Sequence, residues 1–171
     1  MKEEMKGYYE ANLTAEKLKK CYDIALPRVR QYFVSELSHV MEKINEGDRV
    51  LDLGCGFGRI MPELARKARM VVGIDNSYAS LMMAKDTIHC TPHCFLSGMN
   101  AIRLGFRDHV FDVTACIQNG ISAFHVDRVE LLRESLRVTK PGGIVLFSSY
   151  SEKFWDHRLK WFEMQADAGL L

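Results

Sequence analysis

Five short apolar runs predict β-strands, because parallel strands covered on both faces have nearly continuous hydrophobic sequences. They cover residues 49–53, 70–75, 94–97, 110–116 and 143–149. Between and around them, apolar residues recur at spacings of three and four, which predicts amphipathic helices. These helices cover residues 13–26, 27–44, 60–68, 77–88, 129–138 and 151–171. Strands that alternate with helices predict a parallel sheet wrapped by helices through right-handed crossovers.

Turn and capping residues mark several of the boundaries. Pro27 suits the first position of the second helix, where a missing N–H costs little. Asn76 or Ser77 is expected to cap the helix that follows the second strand. The sequence Lys140-Pro141-Gly142-Gly143 predicts a turn immediately before the fifth strand. The last helix is rich in aromatic residues, and we expect it to pack against the fifth strand or to cover a ligand.

Composition and charge narrow the classes of function. A chain of 171 residues that is 47% hydrophobic can bury one substantial core, so we expect a single domain. Its 23 Lys and Arg residues nearly balance 22 Asp and Glu residues, which makes nucleic acid an improbable partner. No apolar run has the length of a membrane span, and the N-terminus lacks a secretory signal pattern. Five scattered cysteines fit reduced thiols. We therefore expect a cytoplasmic protein without a membrane partner.

The most informative stretch is the glycine-rich turn after the first strand. Gly54, Gly56 and Gly58 alternate there, and Asp52 lies just ahead of them. Glycines let a ligand approach backbone N–H groups and tolerate positive φ angles. A strand, a bare turn and a helix together predict a nucleotide-type cofactor site at the carboxyl edge of the sheet. Arg59 stands where a dinucleotide fingerprint needs its last glycine, so the match to NAD binding is poor.

The pattern Asp52-x-Gly54-x-Gly56-x-Gly58 resembles the first motif of class I methyltransferases that use S-adenosylmethionine. This resemblance implies a Rossmann-like three-layer α/β sandwich with strand order 3-2-1-4-5 and S-adenosyl-L-methionine as the cofactor. It implies that Asp52 helps to hold the aminoacyl end, and that Asp75 accepts hydrogen bonds from the ribose hydroxyls. The alternative for Asp75 is a helix-capping residue. The implied cofactor-binding residues are Asp52, Gly54, Cys55, Gly56, Gly58, Asp75, Asn76, Asn100, Ala101, Ile117 and Gln118.

A second matching segment, residues 98–106, precedes the fourth strand and departs from the family pattern twice. Asn100 stands where aspartate is usual, and Gly105 replaces a proline. An Asn amide still offers the acceptor and the donors that pair with an adenine edge, without the charge-assisted bond. Pro141 and the two glycines after it also fit the family's turn before strand five. Together these segments extend the resemblance over residues 46–150.

The function implied by the resemblance is methyl transfer by in-line displacement to a small-molecule or protein acceptor. Such chemistry depends mainly on alignment, so the lack of a recognisable catalytic group is no objection. Acceptor-side candidates lie in the N-terminal segment and after strands four and five: Tyr8, Tyr9, Asn119, His125, Tyr150 and His157. A structural role remains an alternative for each. The alternative function is a cofactor-binding but inactive regulatory or scaffold module.

The expected organisation is an N-terminal helical cap over residues 1–45, a cofactor-binding core over 46–150 and a C-terminal helix over 151–171. Members of the family usually carry two further strands after the fifth. We therefore expect either a truncated chain, which we favour, or another subunit that covers the exposed edge, and that edge favours a homodimer. Residues 89–94 contain two His and two Cys residues, but a plain loop explains them better than a metal site. A small side chain in the turn likewise explains Cys55 better than a nucleophile does.

Overall fold

The computed structural model of the protein describes residues 15–171. Seven α-helices and five strands are assigned within that range. The helices are α1 (Ala15–Asp23), α2 (Pro27–Lys43), α3 (Met61–Ala65), α4 (Tyr78–Thr87), α5 (Gly120–Ala123), α6 (Arg128–Val138) and α7 (Trp155–Asp167). The strands are β1 (Arg49–Leu53), β2 (Met70–Asp75), β3 (Cys94–Gly98), β4 (Phe111–Cys116) and β5 (Thr139–Phe147). A single 3-10 turn, Glu152–Phe154, precedes α7.

The five strands form one parallel sheet in the order β3-β2-β1-β4-β5, which confirms the expected order. In the register, Leu53 lies opposite Ile74, and Asp52 lies opposite Ala115. The carboxyl ends of β1, β2 and β4 therefore meet at the same edge. In open parallel sheets this edge is where ligands bind, at the point where the strand order reverses.

Two buried clusters cover the two faces of the sheet and give the fold its three layers. Val50 of β1 packs on one face with apolar residues of α2 and α3. Leu51 and Leu53 pack on the other face with Leu131 and Val138 of α6. A third cluster joins α1, α2 and α7 beside the sheet, and its buried members include Cys21, Val29, Phe33 and Trp161. Within residues 15–171 no helix is long and apolar enough to cross a membrane.

The structure corrects the predicted start of the fifth strand. Thr139 already pairs with Phe111, whereas Val113 pairs with Ile144, so the intervening Pro141 and Gly142 form a bulge inside β5. Gly142 adopts φ +80°. Proline has no N–H to donate to the ladder, and it is tolerated at a bulge because the ladder is interrupted there. The turn predicted at this position is therefore an interruption within the strand, not its beginning.

The remaining differences are at the ends of strands and helices, and β5 ends at Phe147 where residue 149 was predicted. Helix α1 ends at Asp23 and α3 spans only Met61–Ala65, so both are shorter than their apolar patterns predicted. Helix α2 begins at Pro27 as predicted. Of the two proposed caps for α4, Ser77 is the residue used, since its hydroxyl accepts a hydrogen bond from the N–H of Ser80. The short α5 was not predicted.

Candidate active site

The glycine turn joins the ends of β1 and β2. The N–H groups of Gly54 and Cys55 donate to the carbonyl oxygen of Ile74 at 2.9 and 2.8 Å. Gly54 has φ +75°, and a Cβ there would lie 2.6 Å from the ring of Phe124. Gly58 has φ +76°, and a Cβ there would lie 3.2 Å from the Cβ of Ala84. Glycine is therefore required at both positions by backbone conformation and by close packing.

Asp75 lies at the end of β2 and connects to the same turn. Its Oδ2 accepts a hydrogen bond from the N–H of Gly56 at 2.9 Å, and its Oδ1 accepts one from the N–H of Ser77 at 2.8 Å. The second bond fits the alternative of a residue that organises the start of α4. The two strand ends thus lie at one edge, tied together by this carboxylate.

A cavity of about 580 Å³ opens beyond these strand ends. This volume falls in the range of small-molecule and cofactor sites. Eleven of the candidate binding residues identified from sequence line it: Gly54, Gly56, Asp75, Asn76, Asn100, Ala101, Ile117, Gln118, Asn119, His125 and Tyr150. Asn100 is held by its own turn, since its Oδ1 accepts a hydrogen bond from the N–H of Ile102 at 3.0 Å. The crevice is open, as a ligand site requires.

A smaller cavity of about 60 Å³ adjoins the first one, because residues such as Gly54 and Gln118 line both. Asp52, Cys55 and Arg59 line only the smaller one, and Gly58 lies outside both linings. Burial raises the pKa of Asp52 to about 7, with the positive charge of Arg59 opposing the shift and the negative charge of Asp75 adding to it. Burial also raises the pKa of the Cys55 thiol. The thiol is thus kept protonated, which argues against a nucleophilic role.

Glu36 of α2 is a residue of the site that sequence analysis missed. Its carboxylate accepts hydrogen bonds from the backbone N–H of Gln118 at 2.9 Å, from the side-chain amide of Gln118, and from the hydroxyl of Ser148. The hydroxyl of Tyr32 also donates to it at 3.1 Å. Glu36 thereby links α2 to the loops after β4 and β5. The available signal was its position, since Glu36 interrupts the apolar stripe of α2 between Phe33 and Val40.

Helices α1 and α7 cover the main cavity. Leu18, Cys21 and Tyr22 line it from α1, and Trp161 and Phe162 line it from α7. The indole N–H of Trp161 donates to the carbonyl oxygen of Cys21 at 2.9 Å and so joins the two helices. Of the two roles expected for the last helix, covering a ligand site is therefore the one that its position supports.

The acceptor-side candidates divide into three groups. Asn119, His125 and Tyr150 line the main cavity. The ring of His157 packs 5.5 Å from the ring of Phe154 and lies outside the lining. Tyr8 and Tyr9 lie outside the described residues. Asn119 is fixed by the hydroxyl of Ser149, which lies 3.0 Å from its Oδ1.

Other chemistry-bearing groups in the described part of the chain do not form a second centre. No group of three or more His, Cys, Asp or Glu side chains among residues 15–171 is arranged to hold a metal ion. Cys90 and Cys94, from the His- and Cys-rich loop at 89–94, are free thiols, the first exposed and the second half-buried.

Comparison with known proteins places this geometry in a family. The methyltransferase domain family matches residues 51–147. A ubiquinone biosynthesis O-methyltransferase of Vibrio cholerae is 31% identical over 120 residues, which cover 66% of this chain and 47% of that protein. A demethylmenaquinone methyltransferase of Mycobacterium marinum is 37% identical over 109 residues, covering 64% of this chain and 44% of that protein. The chain thus spans about half the length of these curated relatives.

Among solved structures, the crystal structure of the cyclase SpnF superimposes with a TM-score of 0.58 at 30% identity, over 65% of this chain and 42% of that one. The family match runs from β1 to the end of β5 and includes the glycine turn, Asp75 and both cavity linings from the sheet side. The chain belongs to the methyltransferase domain family, the class I methyltransferases that depend on S-adenosylmethionine.

Proposed function

We propose that this chain binds S-adenosylmethionine and transfers its methyl group to an acceptor molecule. The observation that carries the proposal is the pair of adjoining cavities at the carboxyl edge, with Asp75 at one and Asp52 at the other. Adenosine needs the larger space and hydroxyl acceptors, whereas an aminoacyl end needs charged partners. The side chains that are present fit this ligand: Asp52 Oδ2 is buried and has no hydrogen-bond partner among the described residues.

Each cofactor-binding residue takes a place along the proposed ligand. Asp75 accepts hydrogen bonds from the ribose hydroxyls, with Asn76 beside it. Asn100 and Ala101 border the adenine. Gly54 and Gly56 let the chain of the methionine portion lie against bare backbone, while Cys55 and Gly58 shape the turn. Ile117 and Gln118 flank the ligand from the end of β4, and Asp52 takes the ammonium group.

The bound cofactor supplies an activated sulfonium methyl group, so the protein's own task is alignment and exclusion of water. Helices α1 and α7 line the main cavity with largely apolar and aromatic side chains. A nucleophile held opposite the sulfur gains on the order of 7–11 kcal/mol from orientation and avoided solvent reorganisation. No described residue has to form a covalent intermediate.

We propose a small-molecule acceptor, with an exposed protein group as the second possibility. The names of two relatives, a ubiquinone biosynthesis O-methyltransferase and a demethylmenaquinone methyltransferase, support a small molecule. So does the lining of the cavity, where Tyr150, Trp161 and Phe162 offer flat surfaces to a ring. Asn119 and Tyr150 are proposed to contact the acceptor, and Tyr8 and Tyr9 remain proposed contacts outside the described residues.

We propose further that residues 1–45 act as the cap, 46–150 as the cofactor core and 151–171 as the covering C-terminal helix of one domain. We also propose a cytoplasmic location and no nucleic-acid partner, on the near balance of 23 basic and 22 acidic residues and the scattered cysteines. We also propose a homodimer through the outer edge of β5, which pairs with no second strand among the described residues. Sedimentation at high protein concentration tests the dimer, and a single monomeric species contradicts it.

Cofactor binding is tested by calorimetry with S-adenosylhomocysteine. Asp75→Ala is expected to weaken binding on the order of ten- to a hundredfold, since a hydrogen bond to a charged group contributes roughly 1.5–3 kcal/mol. The exposed Asp86 on α4 offers the matched control, and Asp86→Ala should leave the affinity unchanged. The 2'-deoxy analogue of S-adenosylhomocysteine should bind the wild-type protein more weakly than S-adenosylhomocysteine does. It should also lose less affinity when Asp75 is replaced. Equal affinity of wild type and Asp75→Ala contradicts the ribose assignment.

Turnover separates the enzyme from its alternative. Release of S-adenosylhomocysteine with a panel of phenols, amines, thiols and carboxylates is expected. Binding without turnover across the panel is the outcome that an inactive module predicts, and nothing in the comparisons favours that module. The likeness to a protein named as a cyclase makes this assay necessary, because one fold can carry several chemistries.

A further inference from the structure

Two buried oxygens beside the smaller cavity lack hydrogen-bond donors. Asp52 Oδ2 and Gln118 Oε1 are both inaccessible and have no partner among residues 15–171. Both side chains line the smaller cavity. Leaving buried acceptors unpaired costs free energy, so such groups in a site indicate a missing donor. An ammonium group has three N–H donors and a positive charge, and it suits both oxygens at once.

Arg59 borders the same cavity with the opposite charge. Its guanidinium lies over the rings of Tyr22 and Phe33, at 4.6 and 5.3 Å from their centres. Within residues 15–171 no hydrogen bond or ion pair involves this guanidinium, and its charge acts on Asp52 only at longer range. The aromatic contacts fix the cation while leaving its N–H donors in the guanidinium plane unused.

We propose that Arg59 binds the carboxylate of the cofactor's amino-acid end, while Asp52 and Gln118 bind its ammonium group. This inference rests on the proposed function and assigns the partner of one group of the ligand. A guanidinium matches a carboxylate through two parallel N–H···O bonds. The smaller cavity, at about 60 Å³, has room for a few non-hydrogen atoms, which suits an α-amino-acid group but not an adenine ring.

Glu36 acts through Gln118 and is therefore a positioning residue. It accepts a hydrogen bond from the side-chain amide nitrogen of Gln118, so the amide oxygen is the atom left for the cavity. It also accepts the backbone N–H of Gln118, which has a φ of +56°. The carboxylate thus holds both the backbone and the side chain of Gln118 in the orientation that the ammonium group requires.

The test compares a ligand that has the amino-acid end with one that lacks it. S-adenosylhomocysteine carries both charges, whereas 5'-methylthioadenosine keeps the adenosine and the sulfur without them. Calorimetry with Arg59→Gln should show weaker binding of S-adenosylhomocysteine, on the order of ten- to a hundredfold, and unchanged binding of 5'-methylthioadenosine. Arg59→Lys should show an intermediate loss, because a point charge remains but the two-pronged geometry does not.

Arg66→Gln is the matched control, since Arg66 is exposed and its side chain pairs with the exposed Glu63. It should leave both affinities unchanged. An equal loss for both ligands in Arg59→Gln, or no loss for either, overturns the assignment of Arg59 while the proposed function stands. Failure of the wild-type protein to bind S-adenosylhomocysteine overturns the proposed function itself. If Arg59→Gln does not fold, Arg59→Lys decides: equal affinity of Arg59→Lys and wild type for S-adenosylhomocysteine overturns the assignment.

Discussion

The buried carboxyl group of Asp52 should make the stability of the cofactor-free protein depend on pH. Asp52 is 2% exposed, and burial raises its pKa to about 7 from an ordinary value of 3.8. The folded state therefore binds the proton more tightly than the unfolded chain does. The stability that this protonated group provides is complete below about pH 4 and is lost as the pH rises through 7. Asp52→Asn cannot ionise, so it removes this loss.

The magnitude follows from the two pKa values. Above pH 7 their separation corresponds to a loss of ~4 kcal/mol in the free energy of unfolding. At pH 5 only about 2 kcal/mol of that free energy has been lost. The free energy of unfolding of Asp52→Asn relative to wild type should therefore rise by roughly 2 kcal/mol or more between pH 5 and pH 8. Any constant cost of placing an amide in the core cancels in this comparison.

Urea unfolding of both proteins at pH 5 and pH 8, without cofactor, measures this difference. Asp112→Asn is the control. Burial opposes the shift, but hydrogen bonds from the N–H of Arg49 and from Lys140 lower the pKa of Asp112. Asp112 is ionised in both states across this range, so its variant should differ from wild type equally at the two pH values. A difference for Asp52→Asn that is the same at pH 5 and pH 8 refutes the reasoning.

Two further predictions concern stability. Gly73→Ala places a Cβ 2.6 Å from Met61 Sδ and should lower the free energy of unfolding in urea by about 1–3 kcal/mol. Gly98→Ala, whose Cβ has its nearest neighbour at 3.6 Å, should lower it less, and equal losses of stability contradict the packing argument. Arg137→Lys loses the planar guanidinium that hydrogen-bonds two carboxylates and two backbone carbonyls, so it should cost about 1–3 kcal/mol of stability. Arg66→Lys on the surface should change stability by about 0–1 kcal/mol. An Arg137→Lys variant as stable as wild type contradicts this role.

The half of the site built by the sheet could be predicted from sequence because its signals are local. A strand that is apolar throughout and then meets alternate glycines leaves few alternatives for the main chain, and β1 spans the predicted residues. Asp75 and the cap Ser77 follow within a few positions of another apolar run. Even so, the bulge at Pro141 was missed, because the pairing of Thr139 with Phe111 depends on a neighbouring strand and not on the turn sequence.

The half built by the helices could not be predicted in the same way, because its contacts join distant parts of the chain. Glu36 and Gln118 are 82 residues apart, and Cys21 and Trp161 are 140 residues apart. Two consecutive non-glycine residues, Gln118 and Asn119, have positive φ, for which their sequence gives only a weak signal. Tertiary hydrogen bonds supply the stabilisation that local preference lacks.

These long-range contacts bear directly on how the smaller cavity can recognise charge. Arg59 and Asp52 carry the charges, but the rings of Tyr22 of α1 and Phe33 of α2 pack against the guanidinium and cover part of it. The attraction between a guanidinium and a carboxylate several ångströms away grows as the effective dielectric constant falls. These two rings are therefore expected to strengthen binding of a zwitterionic ligand without contributing a charge of their own. A variant that loosens α1 should weaken the binding of S-adenosylhomocysteine more than the binding of 5'-methylthioadenosine. Only S-adenosylhomocysteine has the charged groups proposed to contact Arg59 and Asp52.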